Sequence, residues 1–283
     1  MNACLKMIEW WQRAVATVVV ALSMIFAPAC TLVVSGTASG VDGSQEACIS
    51  GDSWLGVSLP AGQPERLIHY PGFVVSFNPV EHIPNYVAWE LTAAECESNV
   101  TSRKSAAFQP DMQINGCAAL SDYRRSGYSR GHMAPAGDMR WSQEAMDACF
   151  LLTNICPQST ALNGGPWASL EEKCRVWARR DSAIVIVCGP VLTDTVTERI
   201  GDNEVAVPER FFKVILAPYA NPPRAIGFIM PNAKFAGGMQ AAAVSVDEVE
   251  KITGMDFFSA LPDEIEDMVE SECNFPSWNR RRP

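Results

Sequence analysis

Histidine is scarce in this chain: His69, His82 and His132 are the three among 283 residues. No Cys-x-x-Cys pair accompanies them, so the ligand spacing of a structural zinc site is missing. Low-complexity tracts and internal repeats are missing too, which excludes fibrous and repeat architectures and leaves a globular chain able to bury one substantial core. A basic balance is also lacking: 22 Lys and Arg face 32 Asp and Glu, a net charge of −10. At first sight this argues against a polyanionic partner. Net charge, however, reports solubility and long-range steering, whereas binding depends on where the cations stand.

The cations are grouped. Arg103 and Lys104, Arg124 and Arg125, Arg130 and Arg140 are followed by Lys173, Arg175, Arg179 and Arg180, while acids concentrate elsewhere, notably over 263–272. This distribution predicts a basic cleft on an acidic body, set against the blander reading of ordinary solvated charge.

The start of the chain reads as a leader. Lys6 and Arg13 precede an uncharged apolar run over 14–34, and Ala27, Pro28 and Ala29 offer small residues where a signal peptidase reads. The run is also long enough to span a bilayer if uncut. Cys30 follows the small-residue site, a place for lipid attachment, although Ala27 stands where a bacterial lipobox carries leucine. Cleaved, lipidated and membrane-anchored forms stay open. The pattern predicts a signal peptide or membrane anchor plus linker over 1–49, one catalytic domain over 50–283, and export to a secreted, periplasmic or membrane-anchored destination. Acidic Glu9 and the uninterrupted run fit an Arg-rich mitochondrial presequence less well.

Ten cysteines are many for an enzyme of this size. With Cys4 and Cys30 in the leader, eight remain, an even number that permits disulfide pairing in an oxidising compartment. The alternative is buried free thiols, which suits Cys149 and Cys188 in their apolar surroundings.

Strands are predicted over 73–77, 86–91, 149–153, 183–188, 211–216 and 225–230, each an apolar, β-rich run bounded by Pro, Gly or Asn. Several are apolar on both faces, so a central sheet covered by helices is expected. Helices are predicted over 167–180, from Ser245 as a cap with an acidic first turn, and over 263–273.

Candidate chemistry centres on Tyr128, Ser129, Arg130, Gly131, His132, Met133, Ala134 and Pro135. His69 and His82 have no such company. Gly131 lets backbone come close to a ligand, Arg130 can grip phosphate oxygens bidentately, and a neutral imidazole suits His132 to take a proton from water. Asn163 lies at or just before the start of the predicted helix, and Trp167, Glu171 and Arg175 follow at steps of four along one face. An arbitrary Glu171–Arg175 pair would be a surface ion pair, but with these neighbours an amide, a carboxylate and a guanidinium can point into one cleft.

These residues, with Asn154 to Gln158 (Asn-Ile-Cys-Pro-Gln) and Leu162 to Glu171 (Leu-Asn-Gly-Gly-Pro-Trp-Ala-Ser-Leu-Glu), resemble the DNA/RNA non-specific endonucleases from about Tyr70 to Phe258, Val207 to Lys213 and Met230 to Asn232 included. The resemblance implies an α+β fold with a ββα-metal (His-Me finger) site on a central, mainly antiparallel sheet flanked by helices. It implies a metal-dependent nuclease acting on DNA and RNA and leaving 5′-phosphates, with His132 as general base. Asn163 would be the magnesium ligand, with manganese as a substitute ion. Glu171 would hold the ion's water, Arg175 would contact the scissile phosphate, and Arg130 would bind phosphate or transition-state charge. Arg103, Asn154 and Gln158 are expected on the substrate side, Asn154 and Gln158 equally as supports of the Asn163 loop. A homodimer enters by the resemblance alone. Ser129 departs from the family pattern, which usually has aspartate there; the change bears on local electrostatics, pH optimum and endo versus exo cutting. The competing readings are an exported nucleic-acid-binding pseudo-nuclease and a small-nucleotide phosphodiesterase.

Overall fold

Most of the continuous apolar runs become the middle of one sheet. The computed structural model describes residues 56–192 and 196–279. Its strands are β1 (Arg66–Tyr70), β2 (Phe73–Asn78), β3 (Ile83–Thr92), β4 (Ser129–His132), β5 (Ile155–Gln158), β6 (Ala183–Pro190), β7 (Arg199–Ile200), β8 (Val205–Ala206), β9 (Arg210–Ala217), β10 (Arg224–Pro231) and β11 (Ala243–Val244). The order β1-β2-β3-β6-β9-β10-β11 forms a seven-stranded sheet whose neighbours are all antiparallel. β4 and β5 make a separate two-stranded ribbon.

The helices used below are α1 (Ala93–Glu97), α2 (Gln143–Cys149), α3 (Ala168–Asp181), α4 (Val246–Thr253), α5 (Asp263–Glu270) and α6 (Phe275–Trp278). Side chains alternate along β9, so its two faces meet different partners. Phe211 packs on Trp167 beside α3, while Phe212 packs on Phe257 beside α4. Every residue of β6 is buried because both faces are covered. The larger core lies on the α3 side and includes Trp89, Trp167, Trp177, Phe211 and Phe228. A buried aromatic of this kind withdraws about 150–250 Å², worth about 4–6 kcal/mol as an upper bound.

β2, β3, β6, β9, β10 and α3 lie within two or three residues of the predicted spans, whereas the edge strands β1 and β11, mostly exposed or half-buried, were not predicted. The run over 149–153 is not a strand: Cys149 ends α2, and Leu152–Asn154 form a 3-10 turn. Cys149, Phe150 and Leu152 are apolar because they fill the core beneath the ribbon, which periodicity cannot distinguish from a sheet. α5 stops at Glu270, short of the predicted 273. The seven described cysteines are all free thiols, so the disulfide alternative fails for them; Cys149 and Cys188 are buried as expected. The leader, Cys48 and the membrane attachment lie outside the described residues, and among the described residues no helix is long and apolar enough to cross a membrane.

Candidate active site

Ribbon and helix together make a ββα unit. β4 runs antiparallel to β5 with Gly131 opposite Cys156 and His132 opposite Ile155. Gly131 is required by its neighbour: a Cβ there would lie 2.1 Å from Gln158 Oε1, so the glutamine side chain lies directly on the glycine. After β5, Ser159 caps a short turn through its bond from Leu162 N, and Asn232 braces that turn by accepting from Ser159 N at 2.7 Å and donating to Pro157 and Pro208 carbonyls. Asn163–Trp167 forms a wide π-type turn broken at Gly165 (φ −117°, ψ −115°) and Pro166, and α3 starts from it. Glycine and proline at the break place Asn163 ahead of the helix and aim α3 along the cleft.

His132 is buried between Phe108, at 5.0 Å between ring centres, and Phe150, at 4.8 Å. Its Nε2 has no hydrogen-bond partner, and Trp167 Nε1 donates to its carbonyl at 3.3 Å. Burial, then the charges of Arg103 and Arg130, push the imidazole down to about 3, so it stands neutral at physiological pH. Both arginines lie over the same aromatic wall, Arg130 over Phe108 at 4.4 Å and Arg103 over Phe150 at 5.7 Å.

His132, Asn163, Glu171, Arg175, Arg103 and Arg140 line one open cleft of about 730 Å³. Arg103 and Asn163 are shared with an adjoining cleft of about 530 Å³ that Arg124 and Arg130 also line. Glu171 is half-buried, and burial raises its carboxyl to about 7, with Lys213 the strongest opposing charge. An amide oxygen and a carboxylate on the same cleft are hard oxygen donors, the set that suits a magnesium-type ion.

Arg175 does not pair with Glu171. Its Nη1 donates to Asp138 Oδ1 at 2.8 Å, and Asp138 also accepts from Trp89 Nε1 at 3.3 Å. Gly137 makes room for that guanidinium: a Cβ there would stand 2.7 Å from Arg175 Nη1. Beneath them Lys213 is fully buried over the rings of Trp167, at 4.5 Å, and Trp89, at 5.2 Å. Burial opposes its charge, but Cys188, Cys174, Glu171 and Asp138 outweigh that and hold its pKa above the ordinary value.

Not every expected residue reaches the cleft. Asn154 is fully buried and its amide is spent on backbone, accepting from Ala134 N and donating to the carbonyls of Ala134 and Cys149. It fixes the loop after His132. Gln158 is fully buried against Gly131. Neither stands among the residues that line the two clefts. Of the cations, Lys173 reaches Asn279, Arg179 pairs with Glu97 of α1, and Arg180 bonds Asp181 and the Trp278 carbonyl. A helix presents them to its other sides, which sequence clustering ignores. Asp138, Lys213 and Asn232 were given no role from sequence. Lys213 and Asn232 stand within the runs that carry the resemblance and Asp138 lies three residues beyond Pro135, but Lys213 is mid-strand in β9, where nothing in the sequence shows that it points under the cleft.

A two-stranded ribbon, a helix and this donor set define a ββα nuclease-type site, and the comparisons agree. The family model for DNA/RNA non-specific endonucleases matches residues 52–264, and the chain belongs to that family. It is 36% identical over 208 residues to Nuclease EXOG, mitochondrial, of Danio rerio, covering 68% of this chain and 60% of that protein. It is 34% identical over 223 residues to Nuclease 1, mitochondrial, of Schizosaccharomyces pombe, covering 72% and 69%. The solved EndoG of an EndoG/EndoGI complex superposes with a TM-score of 0.66 at 30% identity, over 71% of this chain and 88% of that one. The chain thus spans about three fifths of the length of its Danio rerio relative. The mitochondrial names of these relatives overturn the export expected from the leader.

Proposed function

We propose that this protein is a metal-dependent nuclease that hydrolyses phosphodiester bonds of both DNA and RNA to 5′-phosphate products. The observation that carries this reading is the meeting of a neutral imidazole, an amide, a carboxylate and guanidiniums on one open cleft. Its continuation into a second arginine-lined cleft suits a polymer better than a small nucleotide.

His132 takes the proton of an attacking water at Nε2, which is free of protein partners and neutral across the working pH range. Arg175, held by Asp138, binds phosphate oxygens, and Arg103 and Arg130 hold the neighbouring phosphate charge. Magnesium, or manganese in its place, would be held by Asn163, with Glu171 holding the ion's water, and would supply Lewis-acid stabilisation of the developing charge. Asn154, Gln158 and Asn232 position this machinery from beneath. Because water attacks, no ribose 2′-hydroxyl is needed, so both sugars are accepted. For location the reading follows the relatives: a mitochondrial enzyme.

Cleavage of a plasmid, a transcript and a dinucleotide by the full chain, in magnesium and in chelator, tests this. Metal-dependent loss of both polymers with 5′-phosphate ends is expected. Binding without cleavage would make the protein a nucleic-acid binder, and cleavage confined to the dinucleotide would make it a small-nucleotide phosphodiesterase.

A further inference from the structure

The face of the sheet opposite the cleft holds the acids. Between residues 245 and 272 stand ten carboxylates and a single cation, Lys251, which lies 3.8 Å from Glu248. Within this set Asp247, Glu250 and Glu270 turn toward one point between α4 and α5: one carboxylate oxygen from each lies within 4.8 Å of the others. Glu270 is the telling member. It is 5% exposed, its Oε1 has no hydrogen-bond partner, and it faces two further carboxylates. Glu250 gives one oxygen to the Phe257 N–H at 2.8 Å and keeps the other.

We propose that Asp247, Glu250 and Glu270 form a structural calcium site that clasps α4 to α5, on the opposite side of the sheet from the nuclease cleft. Calcium–oxygen distances of about 2.3–2.6 Å and a flexible coordination shell let one ion draw in three oxygens this close together with a few tenths of an ångström of side-chain movement. Magnesium is reluctant to shed water and demands near-ideal octahedral geometry, so an all-carboxylate pocket of this kind suits calcium better. The exposed side of Asp247 leaves room for water and for the further oxygen ligands calcium prefers. Two acidic helices that both pack on β10 and carry Lys251 as their single cation would thereby gain positive charge.

The test uses the full chain carrying Asn163→Ala, which silences the nuclease site, with calcium binding read by calorimetry and stability by thermal midpoint. Its outcome is independent of cleavage. One calcium per chain and a raised midpoint are expected, with a smaller rise in magnesium. Glu270→Gln should abolish both calcium effects while leaving the protein folded in chelator, since the amide matches the shape of the side chain and adds no charge. Asp247→Asn, on the exposed rim where folding is not at stake, should weaken calcium binding about tenfold or more, because ligand charge sets affinity. An Asn163→Ala chain without calcium binding or a calcium-dependent midpoint would overturn the proposal. So would Glu270→Gln or Asp247→Asn binding calcium as tightly as their parent.

Discussion

The two faces of the sheet bury like charges in opposite senses. On the cleft face His132 lies beside Arg103 and Arg130; on the other, Glu270 lies beside Glu250, Glu266 and Asp247. In both places burial and like-signed neighbours oppose ionisation, so the imidazole stays neutral and the carboxyl keeps its proton. The consequences differ. Cations around a neutral base make a surface for phosphate, whereas acids around a buried carboxyl make a site for a cation. A net charge of −10 therefore says little about substrate, because the charges are sorted by face.

The comparison breaks most sharply at the cleft. Asn163→Ala should lower magnesium-dependent cleavage about 100-fold or more, the scale of losing one charge-stabilising group in a preorganised site, measured by initial rates on plasmid and transcript. Asp138→Asn frees Arg175 from its orienting partner and should cost about 10–100-fold, with a raised KM for substrate as the check.

Next in size comes the ribbon. Gly131→Ala drives a Cβ into Gln158 and should destabilise by about 1–3 kcal/mol, read from denaturant midpoints, with Gln158→Ala recovering part of the loss.

The last effects, on pH dependence, sharpen the contrast by their sign. His132 has its folded value pushed down to about 3 from 6.5, so its contribution to stability is full above 6.5 and lost as pH falls toward 3. Glu270 has its value raised to about 9 from 4.5, so its contribution is full below 4.5 and lost as pH rises through about 9. In chelator, His132→Ala should flatten the acid side of the thermal-midpoint profile and Glu270→Gln the alkaline side.

Much of this was legible in the sequence. The long strands announce themselves because both faces are buried, and α3 because its helix formers run unbroken to Asp181. His132, Asn163, Glu171 and Arg175 could be read together because the ββα unit is local in sequence. What could not be read depends on partners distant along the chain. The Arg175–Asp138 pair crosses 37 residues, and Lys213 lies under the cleft from a strand later still. Arg103 is found beside His132 only once Phe150, which carries Arg103 over its ring, packs against the imidazole. Asn154 carries a motif position yet serves the backbone, a distinction that composition cannot make.

The most direct measurement compares wild type with His132→Ala at matched magnesium, following cleavage of plasmid DNA and of RNA together with binding of each. Loss of cleavage on both polymers by about 10²–10⁴-fold with binding retained is the predicted result for a general base. Cleavage by His132→Ala at the wild-type rate would contradict the account.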